Sequence, residues 1–100
     1  MTANKGFPAP EHLEKGSKNL WKQVNSRYVL TDSQRAMLQV GLEARDRADD
    51  CKAAIDADGV VVLDRFGAAK AHPLLSSERD GRALFIQVMR KLNLHLPEEG

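Results

Sequence analysis

The strongest constraint on this chain is the run Thr31-Asp32-Ser33-Gln34 together with the apolar stripe behind it. The Thr31 hydroxyl can accept the amide proton three residues on while the Gln34 side chain reaches back, a capping box that opens a helix near Asp32. Along the stripe, Met37, Gly41, Ala44, Ala48, Cys51 and Ile55 recur every three or four residues, with Leu38 and Leu42 beside them, and Gly59 supplies a stop. About 26 residues at ~1.5 Å of rise each make a rod of about 39 Å. That is long for a chain of 100 residues. Its stripe is rich in small side chains, which let another helix approach closely. The rod therefore calls for a partner helix, from within the chain or from another copy.

The flanking segments are shorter. Residues 1–10 carry Gly6, Pro8 and Pro10 without periodicity and read as a flexible arm. From Glu11 onward, Leu13, Leu20, Trp21, Val24 and Tyr28 fall on one side of a helical wheel. Lys15, Lys18 and Lys22, spaced three and four apart, share its polar side. After Gly59, Val60-Val61-Val62-Leu63 is β-branched and apolar, Asp64 to Gly67 reads as a turn, and Ala68 to Ala71 returns as a weaker strand. An isolated hairpin is marginal in water. This one must pack on a helix or add to another chain's sheet. His72-Pro73 opens the last helix, with Pro73 at the first helical position. Its apolar pattern runs from Leu74 to about Asn93, and Glu98-Glu99-Gly100 form an acidic tail over 97–100. The expected fold is mainly α: three helices, one long and central, with a β-hairpin at about 60–71 between the second and third. One domain is expected over 11–96, built into an oligomer, because so short a chain buries a modest fraction of its surface unaided.

The side chains argue against chemistry. Cys51 is the one cysteine, so neither an internal disulfide nor a multi-cysteine zinc site can form. His12, His72 and His95 lie in separate segments without a supporting ligand cluster, so no metal is expected. A nucleophilic Cys51–His72 pair has nothing to position it. His72, ahead of Pro73, reads as a turn or cap residue whose ring bonds nearby backbone. The glycines are scattered singly, so there is no phosphate loop. No catalytic residue and no cofactor is assigned. There is no apolar run of about 20 residues, which predicts no membrane partner, and the N-terminus lacks the apolar centre of a signal peptide, so a cytosolic setting is the default.

Charge is more informative. The carboxylates of the central helix (Glu43, Asp46, Asp49, Asp50, Asp56, Asp58) read as a solvated face. There, Arg45–Asp49 is a favourable pair four residues apart and Asp46–Asp50 an unfavourable one. The net charge of +1 conceals an asymmetry: residues 1–30 carry +3, residues 31–58 carry −3 and residues 59–100 carry +1. Lys5, Lys15, Lys18, Lys22 and Arg27 are the candidate contacts to a phosphate backbone, and repetition in an oligomer multiplies a weak single-copy attraction.

Trp21 in the first helix, with the later run LEARDRADDCKAAIDADGVVVLDRFGAAKAHPLLSSERDGRALFIQVMRKLNLHL, resembles a family of phage terminase small subunits. The sharpest part runs from Asp64-Arg65-Phe66-Gly67 through Lys70-Ala71-His72-Pro73 to Glu78-Arg79-Asp80, and the likeness extends from about Leu20 to Leu96. The resemblance implies a non-catalytic DNA-packaging protein. Such subunits assemble into homo-oligomers, commonly rings, in the cytoplasm of an infected bacterial host. They recognise double-stranded viral DNA where packaging begins and deliver it to the large terminase subunit, which carries the ATPase and nuclease. On this resemblance Asp64, Gly67, His72, Pro73 and Arg79 form a structural junction from hairpin to helix, with Arg79 placed to pair with an acidic neighbour. Met37, Gly41, Ala44, Ala48 and Ile55 form the core or oligomer face of the long helix. The alternative is an oligomeric adaptor that docks the packaging motor without itself holding DNA strongly.

Overall fold

The computed structural model describes residues 7–94. It is mainly helical, with α1 (Lys15–Arg27), α2 (Asp32–Asp58), β1 (Val61–Leu63), β2 (Ala69–Ala71) and α3 (Leu75–Lys91) in chain order. The hairpin stands between the second and third helices, as expected. Both arms of the Thr31–Gln34 capping box form: Gln34 N–H donates to Thr31 Oγ1 at 3.1 Å, and Thr31 N–H donates to Gln34 Oε1 at 2.9 Å. The helix they open runs 27 residues, or about 40 Å, to a C-cap at Gly59, whose φ of 87° favours a residue without a side chain.

The partner of the long helix lies in the same chain. α3 runs back antiparallel along α2, so that Gly41 faces Val88 and Gly81 faces Ala44 and Ala48. A Cβ placed on Gly41 would sit 2.9 Å from Val88 Cβ; one on Gly81 would sit 2.9 Å from the Ala44 carbonyl oxygen. Gly41, Ala44, Ala48, Cys51 and Ile55 are all buried along this seam, while Met37 is half-buried. Most of the small-residue stripe is thus covered from within the chain by α3. Arg82 of α3 ties to Asp49 of α2 at 2.9 Å along the seam.

The core gathers where α1 crosses this pair. Leu13, Trp21, Val24, Leu30, Leu38 and Leu42 form it, with Phe85, Met89 and Leu92 packed against them. Leu38 and Leu42 are fully buried, each contributing about 1.5–3 kcal/mol by leaving water. α1 starts at Lys15, four residues later than the apolar pattern suggests, because Leu13 N–H turns back to the Pro10 carbonyl at 3.3 Å. The arm is also shorter than expected. Trp21 Nε1–H donates to the Phe7 carbonyl at 2.8 Å, and the Arg35 guanidinium stacks 3.7 Å over the Phe7 ring. A buried indole N–H needs an acceptor, and that need draws Phe7 to Pro10 onto the domain. The acidic tail over 97–100 lies outside the described residues.

α3 closes at Lys91 rather than Asn93. Leu94 N–H reaches the Met89 carbonyl at 3.2 Å and Asn93 N–H the Arg90 carbonyl at 2.9 Å, a Schellman closure with Asn93 at φ 54° in place of the usual glycine. The sheet is antiparallel with Val61 opposite Ala71, Val62 opposite Lys70 and Leu63 opposite Ala69. At its tip, Gly67 N–H bonds the Asp64 carbonyl and Asp64 N–H the Ala68 carbonyl, both at 2.9 Å, with Gly67 at φ 81°. This is a three-residue hairpin loop closed by a glycine bulge. The Asp64 carboxylate accepts from Phe66 N–H and Ala68 N–H as well, so the turn satisfies its own backbone. The hairpin is largely uncovered: Val61, Leu63 and Phe66 are 58%, 71% and 80% exposed.

Candidate nucleic-acid interface

The cationic side of α1 is set by which side is buried. Ser17, Trp21, Val24 and Asn25 face the domain. At about 100° per residue, Lys15, Lys18 and Lys22 fall within roughly 60° of one another, off that buried side. Lys15 and Lys22 are exposed and Lys18 is half-buried. Arg27 does not join them: it is about 140° around from Lys22, on the flank of Leu20, where α3 brings Arg90. It sits in the last turn of α1, where a cation suits the helix dipole. Lys5 lies outside the described residues.

None of Lys15, Lys18, Lys22 or Arg27 has a carboxylate partner among the described residues. Several cations elsewhere do: Arg35 pairs with Asp32, Lys52 with Asp56 at 2.7 Å and Arg82 with Asp49 at 2.9 Å. The three lysines are thus left without an ion pair to a carboxylate among the described residues.

The helix that carries them is held at its start by α2. Glu14 gives α1 no side-chain cap. Asp46 reaches across instead, accepting from Glu14 N–H at 2.8 Å and from the Ser17 hydroxyl at 2.6 Å. A carboxylate there also complements the helix dipole. Arg45 donates to Ser17 Oγ at 2.9 Å and its guanidinium lies against Gly16. One sequence expectation is corrected here: Arg45 does not pair with Asp49, which is taken by Arg82. Asp46, read as part of a solvated face, also bonds α1. Neighbour spacing on one helix cannot register partners on another. A second tie joins His12 Nε2 to Glu43 at 2.7 Å. The Glu43 carboxyl lies below its ordinary range, first because Gln39 donates to it and second because His12 does.

The hairpin-to-helix junction is a bonded unit. His72 is 6% exposed. Its Nδ1 accepts from Leu74 N–H at 3.1 Å, which leaves the proton on Nε2, the atom that meets Asp58 at 2.9 Å. Its backbone N–H continues the ladder to the Val60 carbonyl at 2.8 Å. Both ring nitrogens are therefore occupied in joining the end of α2 to the start of α3. Pro73 is not the first helical residue. It occupies a turn closed by Leu75 N–H and the His72 carbonyl at 3.1 Å, and the helix begins at Leu75. Pro73 fits that second turn position because its φ is preset and no N–H is required. Arg79 is 76% exposed on its side chain and meets Asp80 at 3.7 Å, so it pairs with a neighbour without touching the junction.

Cys51 is buried in the α2 seam. Among the described residues no group of three or more acidic, histidine or cysteine side chains is arranged to hold a metal ion. No helix there is long and apolar enough to cross a membrane. Comparison with protein-family models, with curated proteins and with solved structures returns no match for this chain.

Proposed function

We propose that this chain is a non-catalytic DNA-recognition subunit of the phage terminase small-subunit kind, handing double-stranded viral DNA to the large terminase subunit in the host cytoplasm. The observation that carries the DNA part is the unpaired Lys15–Lys18–Lys22 side of α1. The order of segments around Asp64-Arg65-Phe66-Gly67 and Lys70-Ala71-His72-Pro73 supports the kinship. The mechanism is electrostatic and multivalent. Each chain places three lysines along the phosphates, and an oligomer aligns several such sets. Base recognition is not part of the proposal.

The test is fluorescence anisotropy on duplex DNA over a salt series. Three phosphate contacts per chain give a log–log salt slope of about −2.7 for one copy, steeper for an assembly. Replacing Lys15, Lys18 and Lys22 with Glu should abolish binding, whereas Arg27→Glu, on another flank, should weaken it far less. Binding that ignores the triple substitution would refute the assignment of this face. The adaptor reading is favoured by the exposed apolar hairpin, which is a protein-binding feature. It prevails if the wild-type chain fails to bind DNA even at low salt.

A further inference from the structure

We propose that the outer edge of β1 is the site at which a second copy of this chain docks, forming a continuous four-stranded antiparallel sheet about a two-fold axis at Val62. The inference deepens the oligomeric part of the proposed function by supplying its two-copy unit, since a two-fold pairing of one edge closes at a dimer; it rests on that part only and requires no DNA.

The hydrogen-bond pattern sets the register. Val60 and Asp64 bond across to β2, through His72 N–H and the Ala68 carbonyl, and antiparallel pairing alternates, so Val62 bonds inward too. Val61 and Leu63 therefore turn their N–H and C=O groups to the open edge, where no other strand among the described residues pairs with them. Two copies meeting edge to edge satisfy all of these groups in one arrangement: Val61 opposite Leu63 of the partner subunit, and Val62 opposite Val62 of the partner subunit. The side chains of Val61 and Leu63, 58% and 71% exposed in one chain, then face each other as apolar cross-strand pairs.

Charge selects this edge over the other. Val60 to Leu63 carries no charge and no proline, the usual guards of an exposed strand. β2 has Lys70 at its centre, and the equivalent two-fold pairing of β2 would set Lys70 against Lys70 of the partner subunit, which is unfavourable. The β1 register instead carries Arg65 toward Asp58 of the partner subunit. Among the described residues Arg65 has no ion pair, and in its own chain Asp58 bonds His72 with one oxygen only. The joined strands are short, so assembly is concentration-dependent.

Two substitutions test this in the full chain. Val61→Pro removes an N–H that points outward, leaving the β1–β2 ladder intact. Circular dichroism checks that it folds, and light scattering at tens of micromolar reads its mass. The wild type should associate and Val61→Pro should do so at least tenfold more weakly. Val62→Cys should cross-link rapidly to a dimer on mild oxidation, since directly opposed residues of a non-hydrogen-bonded pair lie about 4.5 Å apart, within disulfide reach. Val60→Cys and Leu63→Cys, which the two-fold does not oppose to themselves, should cross-link much more slowly. A wild type that stays monomeric overturns the inference and the oligomeric reading together. A wild type that assembles while Val61→Pro assembles equally well, or Val62→Cys cross-links no faster than its neighbours, overturns only this interface. DNA binding by the monomeric variant separates either result from the lysine assignment.

Discussion

The chain contains two hairpins, one of helices and one of strands, and they meet their surfaces in opposite ways. In the α2–α3 pair, glycines and alanines bring the backbones so close that a single added methyl at Gly41 or Gly81 would collide at 2.9 Å. Along that seam Gly41, Ala44, Ala48, Cys51, Ile55 and Val88 are buried. In the β1–β2 pair, larger side chains stand on a largely uncovered surface, with Phe66 80% exposed at the tip. The difference teaches that, between these two hairpins, small side chains mark the contact made within the chain and larger uncovered ones the surface left open. Small residues are useful only to a partner already held nearby, whereas an uncovered row of Val, Leu and Phe offers area to a partner that must be found.

The contrast breaks most visibly under truncation. Leu42→Ala, in the fully buried cluster, should cost about 2–5 kcal/mol in urea unfolding, whereas Leu63→Ala should stay within about 0.5 kcal/mol for the monomer and show instead as weaker self-association. Equal losses at the two sites would erase the distinction. The joint between the hairpins comes next. His72→Ala strips the acceptor from Leu74 N–H and the donor from Asp58, and should cost about 1–3 kcal/mol. A metal found on that ring would contradict its role as a joint.

The smallest effect concerns the tie between α2 and the segment ahead of α1. Folding lowers the Glu43 carboxyl below its ordinary value of 4.5, so the charged form is the one the fold favours. Its contribution is present above that value and fades as pH falls through the lowered one. Unfolding midpoints at pH 7 and pH 3 should therefore converge slightly in Glu43→Gln relative to the wild type. A variant as acid-sensitive as the wild type would mean that this carboxylate carries none of the loss.

What is legible in the sequence is local. The Thr31–Gln34 capping box, the Gly59 stop and the Asp64–Gly67 turn each depend on atoms within four residues, and each forms where the spacing puts it. The hairpin comes with them because its turn chemistry is self-contained. What stays hidden depends on partners far along the chain. Asp46 reads as one solvated carboxylate among many, yet it holds the first turn of α1 from about 30 residues away. Phe7 reads as part of a loose arm, yet the Trp21 indole takes its carbonyl. The stripe from Gly41 to Ile55 announces a close partner without saying that α3 is that partner. Of the five cations singled out, three share a face, and the wheel angle that separates Arg27 from them is already contained in the spacing.

The most direct measurement is hydrogen exchange on the full chain at two protein concentrations, with and without duplex DNA. If the chain completes itself along α2–α3 and offers α1 and β1 to others, raising the concentration should slow exchange at the Val61 and Leu63 amides. Adding DNA should slow it across Lys15–Arg27, and the α2–α3 seam should keep its rates throughout. New protection confined to that seam, with α1 and β1 unchanged, would contradict this division of the molecule.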